Sequence, residues 1–184
     1  MATTFDFGDG AGPVPAHRHK NPNGGMGGWV ADTAKVAKTV FVAPNATVGG
    51  NAKVLDNATV QDEATVFGNA TISGNATLGV AACVYGNAIV TDHAYVFGRS
   101  IVSDNAVVRD HAYINDAAEI FGNAIIAHKT IVWGKARIGG DAKLFLNTAE
   151  PIGGDTKISS GSKYAKVHNS YLTNLLALDG DIGL

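Results

Sequence analysis

Asp92-His93-Ala94-Tyr95 and Asp110-His111-Ala112-Tyr113 repeat the same four residues eighteen positions apart, and His128 follows His111 by seventeen. Imidazole binds transition metals well and moves protons near neutral pH, and a neighbouring carboxylate can orient the ring. Read for chemistry, His93, His111 and His128 are candidate metal ligands or acid–base groups. Tyr95 and Tyr113 would be their hydroxyl partners, with Asp92 and Asp110 beside them. Read for structure, the histidines are exposed turn residues, because histidine, like asparagine, is enriched at positive φ. Neither reading commits a residue to catalysis or to a metal. His17 and His19, in "PAHRHKNPNGG", match no catalytic pattern.

The spacing of eighteen belongs to a longer regularity. Val, Ile or Leu occupies every sixth position from Val30 to Leu144, and a small side chain follows four residues later. That small residue is alanine except at Val40, Ser100, Thr130 and Thr148. An amphipathic helix needs a period near 3.6 and a plain strand a period of 2. A strict six requires short strands with a bend in every hexad. The third and fourth places supply the bend, as in Gly68-Asn69, Gly86-Asn87 and Asp104-Asn105. Glycine accepts positive φ freely and asparagine visits it more readily than most residues. Three bends close a triangular coil of eighteen residues, and successive coils stack as parallel strands about 4.8 Å apart. His93 and His111 fall on the fourth place and are expected to be left-handed turn residues.

This pattern resembles the hexapeptide-repeat, left-handed parallel β-helix superfamily, the fold of hexapeptide acyltransferases and γ-type carbonic anhydrases. The resemblance covers roughly residues 30–164. Its "GNA-x-V" flavour and "GGWVADTAKV" entry are most similar to uncharacterised repeat proteins of bacteria and phages. The left hand is implied by the resemblance alone, since parallel crossovers in general favour the right hand. A homotrimer is likewise implied by it. The expected architecture is all-β: about seven to eight triangular coils over 30–167, an N-terminal cap over 1–29 and a C-terminal cap over 168–184. Two residues are inserted near 149–151, so the hexads resume at Ile152, Ile158 and Tyr164, with Thr156 and Ser162 in the small column. "YLTNLLAL" (171–178) is expected to cover the last coil as a short helix. Caps are needed because an open strand edge invites further pairing.

A uniform interior leaves function to the faces, corners and caps. Residues eighteen apart form outward columns: Phe67, Tyr85, Ser103, Phe121; Tyr95, Tyr113, Ile131; Phe97, Asn115, Trp133; and Thr71, Ile89, Val107, Ile125. Contiguous apolar columns mark contact surfaces. Phe67, Tyr85, Phe121, Phe97 and Trp133 are therefore the candidate binding or interface residues. The reading is a rigid structural or binding module that self-associates and meets a protein or glycan partner. The alternative is an acyltransferase or γ-carbonic-anhydrase-like metal enzyme that uses the His93, His111 and His128 corner. Against it, those anhydrases carry a closely spaced histidine pair that has no counterpart among these three. The acyltransferases carry a histidine near a long loop and bind a CoA-type donor between subunits, and no such loop interrupts 30–144.

Composition excludes other classes. The net charge is −2 and the pI about 6.3, with basic residues scattered apart from "HRHK" at 17–20. No nucleic-acid or anionic-membrane footprint results. One cysteine, Cys83, allows no internal disulfide. No run approaches the ~20 apolar residues of a membrane span, and no signal peptide is expected at the N-terminus. A cytoplasmic or virion-associated location is expected. Phosphate-loop and nucleophile-elbow motifs are absent, and no cofactor follows from the residues. Paired Thr-x-Thr ladders, as an ice-binding surface needs, do not occur in successive coils.

Overall fold

The computed structural model describes residues 3–147, 151–159 and 162–163. Every regular element among them is a strand. β1 (Thr4–Asp6), β2 (Pro13–Lys20) and β3 (Met26–Ala31) form an antiparallel ribbon, and β3 then pairs in parallel with Thr47–Val48. From there the chain winds as a parallel β-solenoid of about 7 turns with three sheets. The first sheet continues through Thr65–Val66, Cys83–Val84, Ile101–Val102, Glu119–Ile120, Arg137–Ile138 and Lys157–Ile158. The second runs from Lys35–Val36 to Lys143–Leu146 and on to Ser162–Lys163. The third runs from Phe41–Val42 to Ile131–Val132. Partners lie eighteen residues apart, as Tyr95 with Tyr113 and Cys83 with Ile101.

The hexad explains each side of the triangle. The aliphatic residue and its small companion point inward, and both columns are buried almost throughout. Burying each such Val, Ile or Leu contributes about 1.5–3 kcal/mol before chain entropy is counted. Val36 is only half-buried, because its strand begins the second sheet and no strand precedes it. Ser100 and Thr130 bring hydroxyls into the buried small column, and both are satisfied. Ser100 Oγ donates to the Phe97 carbonyl (2.6 Å) and Thr130 Oγ1 to the Ala127 carbonyl (2.6 Å).

The bend differs from the expectation in one respect. Positive φ occurs at the third place alone: Asp92 and Asp110 (both φ 60°), Gly68, Gly86 and Asp104, but not the following Asn, His93 or His111. The reason lies in the turn. Ala94 N–H donates to the Thr91 carbonyl (3.2 Å), so Asp92 and His93 are the central pair. Positive φ at the first central position alone is the type II′ pattern. The fourth-place N–H is then free to join the next coil: His93 N–H donates to the Asp110 carbonyl (2.8 Å) and His111 N–H to that of His128 (2.8 Å). His93 and His111 are thus exposed corner residues, but not left-handed ones; His128, a third-place residue, is left-handed (φ 58°).

The two-residue register shift is present. Val132 bridges Ile152 and Ile138 pairs with Ile158, each twenty residues on. Arg137 N–H donates to the Thr156 carbonyl, which puts Thr156 level with Ala136. The next pairing differs: Leu144 faces Lys163 and Lys143 faces Ser162, one residue short of the expected alignment with Tyr164. No large apolar side chain lies in Ser159–Lys163 to fix which residue turns inward, so register there is weakly specified. Tyr164, the strand end near Val167, the 171–178 helix and the 168–184 cap lie outside the described residues, as does most of the insertion.

At the opposite end the N-terminal ribbon closes part of the first coil with side chains. Asn21 is buried, donates from Nδ2 to the Val42 carbonyl (2.9 Å) and accepts the Val42 N–H at Oδ1 (2.8 Å). The primary amide replaces a missing strand at that edge. Buried His19 adds an Nε2 contact to the Val40 carbonyl (3.0 Å).

Candidate functional site

The corner after the second sheet carries the histidines. Asp92, Asp110 and His128 occupy its third places; His93, His111 and Lys129 occupy its fourth. The rings of His93 and His111 stack with centroids 5.0 Å apart and planes 3° from parallel. Asn75 Nδ2 lies 3.3 Å from His93 Nε2 on the other side. Each aspartate uses one carboxylate oxygen on the next coil: Asp92 Oδ2 accepts the Asp110 N–H (3.1 Å) and Asp110 Oδ2 the His128 N–H (2.8 Å). Asp110 also meets Arg109 at 3.3 Å, and His128 Nε2 lies 3.9 Å from it. His128 packs against Phe145 rather than against the stacked pair (5.6 Å).

The structure therefore brings His93 and His111 together, sets His128 apart on a different hexad place, and commits the carboxylates to backbone N–H groups. Among the described residues no three His, Cys, Asp or Glu side chains converge as a metal site would. Tyr95 and Tyr113 lie beyond the buried Ala94 and Ala112, on the third sheet. Their ring contacts there are with each other (6.3 Å) and with Phe97 (6.1 and 6.3 Å). His17, on the middle strand of the N-terminal ribbon, makes an exposed pair with Asp32 (2.7 Å), away from the histidine corner.

The corner chemistry is general to the coil. Asp56, Asp62, Asp104 and Asp116 accept the third-place N–H one coil on, at 2.9–3.1 Å. At the corner after the first sheet, Asn51, Asn69, Asn87, Asn105 and Asn123 pass amide hydrogen bonds upward and end on Asp141. Neither ladder is among the sequence expectations. The clue is in the sequence: Asp shares the third place mostly with Gly, and Asn recurs at eighteen in one column. Val80 is the β-branched residue among those at positive φ. It sits at φ 58° and is 50% exposed, where glycine or aspartate is usual.

The aromatic columns lie on two faces. On the first, Phe67 stacks on Tyr85 (4.9 Å, 6°), while Ser103 is buried beside them. Phe121 lies over Gly139 with Arg137 above its ring (5.3 Å), and Arg137 also pairs with Glu119. The same sheet begins with Phe5 stacked on Trp29 (4.9 Å) and edge-on to Phe7 (5.0 Å), with Arg18 over Trp29. On the third face, Phe97 lies over Gly79 and Trp133 over Gly153. Cys83 sits half-buried in the first face, and burial pushes its thiol pKa up. No helix is long and apolar enough to cross a membrane among the described residues. No protein-family model matches the chain, and no curated protein matches its sequence.

Proposed function

We propose that this chain is a rigid β-helix scaffold of the left-handed, hexapeptide-repeat kind, which self-associates and presents its outer columns to a partner. The observation that carries this is the aromatic strip along the first sheet. Phe5, Phe7, Trp29, Phe67, Tyr85 and Phe121 follow one another along an uninterrupted coil, each only partly buried within the single chain. Large apolar side chains left partly uncovered in a row favour burial against another surface. The interior gives no other outlet, since its columns are filled by Val, Ile, Leu and Ala.

The coil is suited to this task because each hexad ties to the hexad one coil on through backbone bonds and corner ladders. A contact made at one rung is held in fixed register with the others. Self-association as a trimer is the form the sequence resemblance implies. Sedimentation velocity tests it. A trimer is expected at micromolar concentration, and replacement of Phe67 and Tyr85 by lysine should dissociate it without unfolding the coil. A parent protein that sediments as a monomer, unchanged by both substitutions, would overturn the reading.

A further inference from the structure

The three faces differ in charge. The outward rows of the first sheet include Glu119, Arg137 and Lys157, and those of the second include Lys35, Lys53, Arg109 and Lys143. The outward rows of the third contain no charged residue: Phe41, Thr59, Thr77, Tyr95, Tyr113 and Ile131 on one side, Ala43, Gln61, Gly79, Phe97, Asn115 and Trp133 on the other. This is also where the largest rings are most open, Tyr95 at 41% and Trp133 at 45% exposed.

The rings are laid down rather than raised. A Cβ at Gly153 would fall 1.8 Å from Trp133 Nε1, and one at Gly79 would fall 2.5 Å from the Phe97 ring. Glycine at these two positions lets each ring rest on the neighbouring coil and turn its other side outward. Phe97 and Tyr113 have planes 13° apart with centroids at 6.3 Å. Around this floor the hydroxyls of Thr59, Thr77, Tyr95 and Tyr113 and the amides of Gln61 and Asn115 make no hydrogen bond within the described residues. At the corners, by contrast, Asn and Asp side chains are consumed in ladders.

From this face we infer a binding site for an uncharged, extended oligosaccharide lying along the coil axis. The inference rests on the partner-presenting scaffold reading above. The apolar C–H face of a pyranose ring stacks on an aromatic floor, and its hydroxyls need donors and acceptors beside that floor; the rows of the third face supply both, and the nearest charges, such as Glu63, Arg99 and Lys135, sit on the flanking corners. Absence of charge fits a neutral ligand and gives no purchase to a charged one. Shape agrees. Six strands about 4.8 Å apart and two outward side chains wide make a strip of roughly 25 by 10 Å. A linear glycan matches so narrow a track.

The test is titration of the full chain with neutral oligosaccharides, cellohexaose and chitohexaose, against oligogalacturonate as the charged control. Calorimetry and tryptophan fluorescence would report binding. Binding of a neutral oligomer is expected, with Kd raised about tenfold in Trp133→Ala and in Tyr95→Ala. Both residues are on the surface, so melting temperature and sedimentation should be unchanged in the variants. Trp133→Phe, which keeps a ring, should keep most of the affinity. Three results would overturn the inference: no neutral oligomer binding at millimolar concentration, equal binding of the charged control, or affinity indifferent to both substitutions. Loss of the oligomer in Trp133→Ala or Tyr95→Ala would also overturn it, because the face would then be a subunit contact, and the self-association reading would stand. A monomeric parent that binds the neutral glycan would sink self-association and leave this site intact.

Discussion

Thr130 offers a stringent test of how the coil satisfies its backbone. At the histidine corner the rule is that a third-place aspartate accepts the next coil's third-place N–H, as Asp110 does for His128. His128 has no carboxylate, so the N–H one coil on, Leu146, needs another acceptor. It is Thr130 Oγ1, at 2.9 Å, from a side chain with no exposure in a column that is otherwise mostly alanine. Thr130→Val keeps shape and removes the acceptor. A buried N–H left unpaired costs about 1–3 kcal/mol, and the added methyl offsets part of that, about 0.8 kcal/mol. A net loss of about 1.5 kcal/mol lowers the melting temperature by about 3–6 °C in a chain of this size. Thr130→Ser keeps the acceptor but loses one buried methyl, so melting alone does not separate the two variants. Hydrogen exchange does. The Leu146 amide should exchange about tenfold faster in Thr130→Val and stay protected in Thr130→Ser. A valine variant that melts at or above the parent, with Leu146 still protected, would refute the reasoning.

Two further outcomes follow from the same geometry. Asp104 combines positive φ (58°) with a bond to the Gly122 N–H (2.9 Å), so Asp104→Ala should cost about 1–2 kcal/mol by chemical denaturation. Asp104→Asn, which keeps an acceptor and tolerates the backbone, should cost less than half of that; equal losses would show that the carboxylate ladder contributes nothing. Burial raises the Cys83 thiol above its ordinary value, while a bond with Thr65 opposes this only in part. Alkylation depends on the thiolate, so at pH 8 Cys83 should react more slowly than a free thiol, with a rate that climbs only above the usual thiol range. Labelling at the free-thiol rate at pH 8 would contradict the burial.

How much of this was legible beforehand depends on the residue. The inward columns from Val30 to Leu144 were readable, because a period of six leaves only one way to bury Val, Ile and Leu together. The eighteen-residue coil followed from three bends, and the shift at Ile152 from a break in the count. The corner was half legible. Glycine and aspartate at the third place point to a bend, but which of two turn residues takes positive φ depends on hydrogen bonds to the next coil, and those are not local. Hence His93 and His111 were placed one step off in backbone conformation. The register at Ser162–Lys163 was illegible for a different reason: nothing in that stretch prefers one face over the other.

The sequence by itself determined the coil, its core and the identity of each outward column, since all three follow from periodicity and side-chain type. Tertiary structure alone decided what those columns do. Stacking at the coil spacing turns Asn and Asp into ladders whose groups are already paired, and it ties Asp92 and Asp110 to backbone N–H groups beside the histidines. On the third face it lays Phe97 and Trp133 flat over two glycines from neighbouring coils, with uncharged polar groups left open around them. Those contacts join residues about a full coil apart in sequence, and only the closed triangle brings them within reach of each other.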